Sequence, residues 1–279
     1  MNRVFLISIL SIITIFFSCN DEITTSDDVL NVNPLNGSQS LNISSGSTWK
    51  AESSDSWCTL SDSTGKRNKS LELRYDDNAT GAARTAKISI LTGKQSKCVL
   101  VNQSGGKILL NENFNDNSKS WISVNDSITE NINNGFLDIK NLSKTYSFFV
   151  GTKELIPNYL NNYLITTNYH VISGTGPFGL TFGNHDSNNF YRILVFPKGS
   201  FTISKKLNGI YTTILNISTS LVKSENSISL VKNSNNCNIY INGSKAGTFD
   251  FSTPFGPFIG FYSYPQTEVY VDFLKVNQF

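Results

Sequence analysis

The sequence has few charged residues and few good helix formers, and each shortage excludes a class of protein. Charged residues make up 16% of the 279 residues, with 23 Lys and Arg against 21 Asp and Glu. No basic run is longer than Lys66-Arg67 or Lys205-Lys206, so a nucleic-acid partner, which needs a basic surface, is not expected. Alanine occurs six times and methionine once. Because Gly, Thr, Tyr and Phe are plentiful instead, the composition favours an all-β fold.

A short apolar segment opens the chain. Arg3 precedes an apolar run from Val4 to Phe17, which is shorter than the roughly 20 helical residues that cross a bilayer. Residues 1–18 are therefore interpreted as a signal peptide. The run ends in Ser18-Cys19, which resembles a bacterial lipobox, and this resemblance implies lipidation at Cys19. The alternative is an ordinary secretory signal with a chance cysteine.

The three residues after Cys19 indicate where the protein is located in the cell. Asn20-Asp21-Glu22 resembles the acidic export tag of surface-displayed lipoproteins of the Bacteroidetes group. This resemblance implies a bacterial outer-membrane protein that is exposed at the cell surface and reaches the membrane through the lipid at Cys19. Residues 19–29 are acidic, rich in Ser and Thr and without apolar periodicity, which predicts a flexible tether.

Residues 30–106 carry the pattern of a small β-sandwich. Apolar residues alternate with polar ones in two stretches, 71–75 and 86–90, and period-two alternation is typical of half-buried strands. Turn-forming residues 76–81 separate the two stretches. Short, evenly spaced strands of this kind predict an immunoglobulin-like sandwich.

This segment resembles the BACON domain, a module often found N-terminal in carbohydrate-active surface proteins of Bacteroidetes. The resemblance rests on Trp49, Ser56-Trp57-Cys58, Gly65, Asp77-Asn78, 84–90 and 99–105. Cys58 departs from the pattern, since the family usually has a bulky aliphatic residue after the Trp. The resemblance leaves two roles open for the module, a spacer and a direct glycan contact.

Residues 107–279 are also rich in strand and turn signals. The alternating stretches 191–195 and 201–203 flank a Gly-containing turn at 197–200, and Asn242-Gly243 is a strong hairpin signal. The terminal stretch 268–276 is apolar on both faces over most of its length, which predicts a strand inside a sheet rather than at its edge.

This half resembles the concanavalin A-like jelly roll, two packed antiparallel sheets. The segments that carry the resemblance are 112–116 with Trp121, 134–137, 178–182, 189–191, 226–230, 239–243, 260–262 and 271–276. The fold hosts lectins, laminin-G-like binders and glycoside hydrolases, so it does not by itself define an activity. Trp121 is interpreted as a packing residue.

Catalytic motifs are scarce. Family 16 glycoside hydrolases on this fold carry Glu-x-Asp-x-x-Glu, which places two carboxylates on one strand face, and the sequence has no such spacing. A pair from distant strands, for instance Glu225 with Asp272, is the alternative. The sequence favours a non-catalytic protein and leaves a glycoside hydrolase as the second hypothesis.

Metal and cofactor motifs are also scarce. His170 and His185 are the two histidines and form no spaced zinc motif, so neither a metal nor a cofactor is expected. With Cys19 lipidated, Cys58, Cys98 and Cys237 remain, an odd number that leaves at least one free thiol. Cys58 and Cys98 fall in predicted strands, and two interpretations stay open for them, buried free thiols or a disulfide.

The expected ligand is a glycan or polysaccharide, because flat aromatic rings stack on sugar rings while amides and carboxylates bind hydroxyls. Tyr262 and Tyr264 are the first candidates, since both point to the same side of a strand that ends at a proline. Tyr191 with Arg192, and His185 with Asp186, are further candidates. A third hypothesis is an adhesion or structural subunit whose partner is an outer-membrane protein.

Overall fold

The structure, a computed structural model, describes residues 22–279 apart from 94, 123–125, 156–159 and 252–253, without the side chains of 152–155. The predicted signal peptide and Cys19 lie outside the described residues. Every regular element that is described is a β-strand. In this part of the chain no helix has the length and apolar character needed to span a membrane.

The chain divides into two compact units. Among the described residues, the first unit comprises those up to Leu30, together with Ser38–Arg74 and Ala86–Leu100. The second unit comprises Asn31–Gly37, Tyr75–Thr85 and Val101–Phe279.

Nine described strands lie between residues 22 and 106. They are β1 (Ile23–Thr25), β2 (Val29–Val32), β3 (Gly37–Ser45), β4 (Thr48–Ser53), β5 (Cys58–Leu60), β6 (Thr64–Lys66), β7 (Lys69–Tyr75), β8 (Arg84–Leu91) and β9 (Ser96–Gln103). They form a four-stranded sheet in the order β1-β3-β7-β5 and a five-stranded sheet in the order β2-β9-β8-β4-β6. The alternating stretches 71–75 and 86–90 lie in β7 and β8, and the apolar side chains of these stretches are buried as predicted.

Strand β1 corrects the predicted tether. Its residues pair with β3, where Ile23 lies opposite Ser45, and Ile23 is buried. The flexible segment predicted for 19–29 therefore does not extend through residues 23–25. The sequence did not predict this strand, because three residues show no clear periodicity. The strand is defined by its hydrogen bonds to β3, which lies about twenty residues further along the chain.

Cys58 and Cys98 do not form a disulfide with each other. Cys58 is buried at the start of β5, whereas Cys98 is exposed on β9. Along β9, Val99 and Val101 are buried, so the adjacent Cys98 points to the opposite face. The interpretation that the two cysteines form a disulfide is therefore wrong, and so is the expectation that Cys98 is buried.

Fourteen described strands follow residue 106. They are β10 (Lys107–Glu112), β11 (Ile128–Asn133), β12 (Phe136–Asn141), β13 (Phe148–Leu155), β14 (Asn162–Ser173), β15 (Phe178–Asp186), β16 (Asn189–Phe196), β17 (Ser200–Leu207), β18 (Ile210–Ser218), β19 (Glu225–Asn233), β20 (Asn236–Ile241), β21 (Ser244–Asp250), β22 (Phe258–Ser263) and β23 (Glu268–Gln278).

These strands form two antiparallel sheets around one core. The eight-stranded sheet has the order β11-β12-β23-β14-β19-β20-β21, with β10 also paired to β23. The six-stranded sheet has the order β13-β22-β15-β16-β17-β18. Buried aliphatic and aromatic side chains of both sheets meet in a single hydrophobic cluster, which is how a β-sandwich is held together.

The local predictions for this half are confirmed. Strand β23 lies between β12 and β14, so it is an interior strand. Asn242 and Gly243 connect β20 to β21 with φ of 52° and 77°, the left-handed pair that a tight hairpin needs. Trp121 packs edge-on against Phe114 at 5.4 Å between ring centroids, and its indole nitrogen donates to the buried Glu112 carboxylate at 3.1 Å.

Candidate functional site

The candidate site lies on the outer face of the six-stranded sheet. Along β16, Tyr191 and Ile193 join the core cluster, so the side chains that alternate with them, Phe190 and Arg192, point outward. Arg192 lies between Thr181 of β15 and Ser204 of β17 in the register of the sheet. The outward positions therefore bring an arginine to the middle of the face.

Three tyrosine rings surround this arginine. The guanidinium carbon of Arg192 lies 4.2 Å from the ring centroid of Tyr211, 4.7 Å from that of Tyr262 and 6.0 Å from that of Tyr264. The hydroxyls of Tyr211 and Tyr262 lie 3.0 Å apart and share a hydrogen bond. Arg192 is 9% exposed, and its Nε donates to the Ser204 hydroxyl at 3.0 Å. We call Arg192 and these three tyrosines the tyrosine–arginine cluster.

Burial alters the chemistry of this cluster. Desolvation, followed by the hydrogen bond with Tyr262, raises the pKa of the Tyr211 hydroxyl well above its usual range. The phenol therefore stays neutral at physiological pH and can donate or accept a hydrogen bond. A guanidinium over aromatic faces is a cation–π arrangement, which becomes more favourable as water is excluded.

A cavity of about 510 Å³ adjoins the cluster and shares Tyr262 with it. We call it the aromatic cavity. It combines aromatic rings with amide, imidazole, carboxylate, ammonium and hydroxyl groups. Its lining comprises Ser120, Ser147, Phe149, Gly151, Asn184, His185, Asp186, Ser187, Phe190, Lys206, Phe258 and Tyr262. A cavity with apolar walls and a few polar groups is the usual form of a small-ligand site.

Two glycines make room for one wall of this cavity. Gly151 and Gly260 are paired across β13 and β22, and the Phe149 ring lies close over both. A Cβ at Gly151 would meet the Phe149 Cζ at 2.1 Å, and one at Gly260 would meet the Val150 carbonyl oxygen at 2.3 Å. The glycines thus let a large ring that is 47% exposed lie flat on the sheet.

One buried polar group in the cavity has an unused hydrogen-bonding atom. Asn184 is 4% exposed, and its Nδ2 donates to the Thr181 hydroxyl at 2.9 Å. Its Oδ1 is buried without a hydrogen-bond partner. Buried acceptors are almost always satisfied. Because this oxygen is itself enclosed, the Asn184 amide forms part of the cavity wall and does not offer an open acceptor to a ligand.

Both oxygens of the carboxylate in the cavity, by contrast, accept hydrogen bonds. Asp186 bonds His185 Nδ1 at 3.0 Å and accepts from the backbone nitrogen of Asn188 at 2.7 Å, and the Asn189 amide donates to both its oxygens. The bond from His185, followed by that from Asn188, lowers the pKa of Asp186 to about 2. Asp186 is thus ionised and held in place at neutral pH.

Most of the residues predicted from the sequence lie together at this site. Tyr262, His185 and Asp186 line the aromatic cavity, while Arg192 and Tyr264 belong to the adjoining cluster. Tyr191 does not, and its prediction as a ligand contact is corrected. Its ring is buried in the core and stacks on Phe255 at 4.9 Å between centroids, because adjacent residues of a strand point to opposite faces.

Sequence reasoning missed four residues of the site, Phe149, Asn184, Lys206 and Tyr211. A partial signal existed for Lys206, since strand alternation places it outward once Ile203 is assigned to the core. Tyr211 follows the Asn208-Gly209 turn at the end of β17. It joins the site through pairing with Lys206, which is itself paired with Phe190. Nothing local to Tyr211 indicates this neighbourhood.

A second group of polar residues lies on the eight-stranded sheet. His170 Nε2 is 3.4 Å from Asp272 Oδ2 and 3.6 Å from Glu225 Oε1, and the Asn168 amide donates to both carboxylates. The ligand atoms of His170, Glu225 and Asp272 all lie within 4.8 Å of one another, a set that can hold a metal ion. Spacing along the sequence does not reveal it, because β14, β19 and β23 each supply one of the three.

The clefts of the first unit lack the exposed aromatic rings that line the aromatic cavity. Two clefts of about 500 and 650 Å³ are lined mainly by Ser, Thr, Lys and Asn. Trp49, the aromatic residue among their lining, is 3% exposed, and its ring packs on Gly65, where a Cβ would lie 2.1 Å from it. No exposed aromatic ring therefore lines either cleft.

Comparison with known families identifies the N-terminal segment. Residues 22–106 match the family described as the viral BACON domain, which confirms the resemblance found in the sequence. No curated protein matches the chain in sequence.

Solved structures identify the fold of the larger part. A protein of unknown function with a galectin-like fold from Bacillus subtilis is 15% identical, with a TM-score of 0.51, over 62% of this chain and 96% of its own. A β-glucanase from Bacillus licheniformis is 11% identical, with a TM-score of 0.45, over 62% of this chain and 99% of its own. A GH5 xyloglucanase from Bacteroides ovatus is 20% identical, with a TM-score of 0.30, over 36% of this chain. The matched region is 22% of that enzyme's length. The galectin-like neighbour confirms the predicted jelly-roll β-sandwich.

Proposed function

We propose that the protein binds carbohydrate without cutting it, through the aromatic cavity and the tyrosine–arginine cluster. The observation that carries this proposal is the lining of the aromatic cavity, where the exposed Phe149 ring and Tyr262 lie beside hydroxyl, imidazole and ammonium groups. Sugar rings present CH faces that stack on aromatic rings and hydroxyls that form hydrogen bonds with such polar groups. The cavity supplies both kinds of contact within one saccharide-sized space.

A glycan array with the purified protein tests this function. Binding to at least one class of oligosaccharide is expected, with loss of 10-fold or more in affinity for Tyr262→Ala. Tyr270→Ala is the matched control, because Tyr270 is a half-buried tyrosine of β23 in the other sheet. Failure to bind across a broad array, or equal losses in both variants, would refute a carbohydrate site in the cavity.

The proposed location is the outer membrane, with the lipid at Cys19 as anchor and the protein displayed at the cell surface. The lipobox-like residues and the acidic residues after them support this location. Metabolic labelling with an alkyne fatty acid should label the protein, and Cys19→Ser should abolish the label. Fractionation of unlabelled protein to the cytosol would contradict the proposal.

A hydrolase is the second candidate, favoured by one observation. Carboxylate oxygens of Glu225 and Asp272 lie within 4.8 Å of each other, and retaining glycosidases place their two carboxyl groups about 5–5.5 Å apart. Release of reducing sugar that disappears in Glu225→Gln would establish this activity. For the third hypothesis, an adhesion subunit, capture of one outer-membrane protein without any glycan binding is the expected result.

A further inference from the structure

The outer face of the six-stranded sheet carries two cations without acidic partners. Among the described residues no carboxylate forms an ion pair with Arg192 or Lys206. Arg192 makes one hydrogen bond, from Nε to the Ser204 hydroxyl. Lys206 Nζ donates to the Ser187 carbonyl oxygen at 3.0 Å.

Both cations lie among aromatic rings rather than in open solvent. Lys206 Nζ is 5.2 Å from the Tyr211 ring centroid and 5.8 Å from that of Phe190. Arg192 is 9% exposed beneath Tyr211 and Tyr262. Aromatic faces offset part of the desolvation of a cation, but a buried charge is ordinarily paired as well. Among the residues that the structure describes, neither cation has such a pairing partner.

Asp186, the carboxylate of the cavity, does not form an ion pair with Arg192 or Lys206. Both carboxylate oxygens of Asp186 are occupied by His185, Asn188 and Asn189. The cavity therefore holds one anion, Asp186, whose oxygens already accept hydrogen bonds, and one cation, Lys206. A second cation, Arg192, lies in the adjoining cluster, and both cations have donor capacity left over. Apolar walls lower the local dielectric, which strengthens both the attraction of the two cations for an incoming anion and the repulsion from Asp186. Two cations against one carboxylate leave a net attraction.

We propose that the aromatic cavity selects a saccharide bearing an acidic substituent, a carboxylate or a sulfate. This inference rests on the proposed carbohydrate binding and names its ligand class. Lys206 binds the oxyanion directly, because its ammonium lines the cavity. Arg192 adds positive potential from beneath the tyrosines.

Matched pairs of polysaccharides test the inference. Polygalacturonate is compared with its carboxyl-reduced form, and dextran sulfate with dextran, by isothermal titration calorimetry with the purified protein. The expected result is at least 10-fold tighter binding of one acidic member than of its neutral counterpart, weakening as salt is raised from 50 to 500 mM. The member that binds distinguishes carboxylate from sulfate.

Variants of the lysine separate selectivity from general binding. Lys206→Gln should reduce affinity for the acidic member at least 5-fold more than it reduces affinity for the neutral member. Lys206→Arg should restore most of the loss. Lys198→Gln, which makes the same charge change in the exposed turn between β16 and β17, should leave both affinities unchanged.

Three outcomes would overturn either the acidic selectivity or the proposed carbohydrate binding. Equal binding of acidic and neutral members, unaffected by Lys206→Gln, overturns the acidic selectivity and leaves carbohydrate binding intact. Equal losses in Lys206→Gln and Lys198→Gln indicate a nonspecific charge effect and also overturn it. Absence of binding to all four polymers and to the glycan array refutes the proposed function itself.

Discussion

The hydroxyls of Tyr211 and Tyr262 lie 3.0 Å apart, and both rings lie over the guanidinium of Arg192. The two tyrosines come from β18 and β22, which three other strands separate in the sheet. Their hydrogen bond therefore spans the outer face and covers the arginine. This contact makes the face a continuous aromatic surface on which a sugar ring can stack.

Tyr211→Phe should cost about 1 kcal/mol of unfolding free energy, because it removes one net hydrogen bond and keeps the ring. Glycan affinity should fall by less than 3-fold, since the stacking surface remains. Urea denaturation and calorimetry measure the two quantities. Tyr270→Phe is the control. A loss of binding as large as that in Tyr262→Ala would mean that the hydroxyl itself contacts the ligand.

Arg192→Gln should destabilise the protein by about 2 kcal/mol, because it removes a shielded cation–π contact and the bond to Ser204. Arg192→Lys should recover only part of this loss, since an ammonium lacks the planar group that lies between two rings. Urea denaturation checks the order of stability, wild type, then Lys, then Gln. Equal stability of all three would show that the tyrosines do not depend on the guanidinium.

Asp186 should titrate near pH 2, as its hydrogen bonds with His185 and Asn188 imply. His185→Ala should move the pKa of Asp186 upward, toward the ordinary aspartate value of about 3.9. Because the folded pKa is below the unfolded one, the stabilisation is complete above about pH 4 and disappears as pH falls toward 2. Carbon-detected NMR of the aspartate carboxyl follows the titration. An unchanged pKa in His185→Ala would assign the shift to the backbone of Asn188 instead.

Cys98 should be the reactive thiol of the described chain. It is exposed, whereas Cys58 and Cys237 are buried, and burial raises the pKa of the Cys237 thiol far above its usual range. Brief treatment of the native protein with iodoacetamide, followed by peptide mapping, should find label at Cys98 and not at the other two. Denaturation in urea provides the control, in which all three should react. Native labelling of Cys237 would contradict its place in the core.

Glu225→Gln combined with Asp272→Asn should leave glycan affinity within 2-fold, since both residues lie on the eight-stranded sheet rather than at the aromatic cavity. A reducing-sugar assay should detect no turnover in either the wild type or the variant. Turnover in the wild type that is lost in the variant would instead support the hydrolase hypothesis.

Many strands of this protein could be predicted from local patterns. The prediction of ligand contacts, however, did not always take into account that adjacent residues of a strand point to opposite faces. Alternation along 191–195 places Tyr191, Ile193 and Val195 on one face and Arg192 on the other, and the structure buries the first three in the core. The prediction of both Tyr191 and Arg192 as ligand contacts did not apply this rule, and only Arg192 is on the outer face. Strand β1 escaped prediction for a different reason, because three residues carry too little periodicity without their partner strand.

Local patterns were enough to predict strands such as β7, β8 and β23, the turn at Asn242-Gly243, and two sandwich halves. These features depend on side-chain alternation and on turn residues, whose effects act over a few positions. Which strands are neighbours follows from the tertiary fold, and that pairing places Tyr211, Tyr262 and Arg192 in one cluster and His170, Glu225 and Asp272 in another. Pairing between distant strands depends on the packing of the whole core, which no local stretch of sequence specifies.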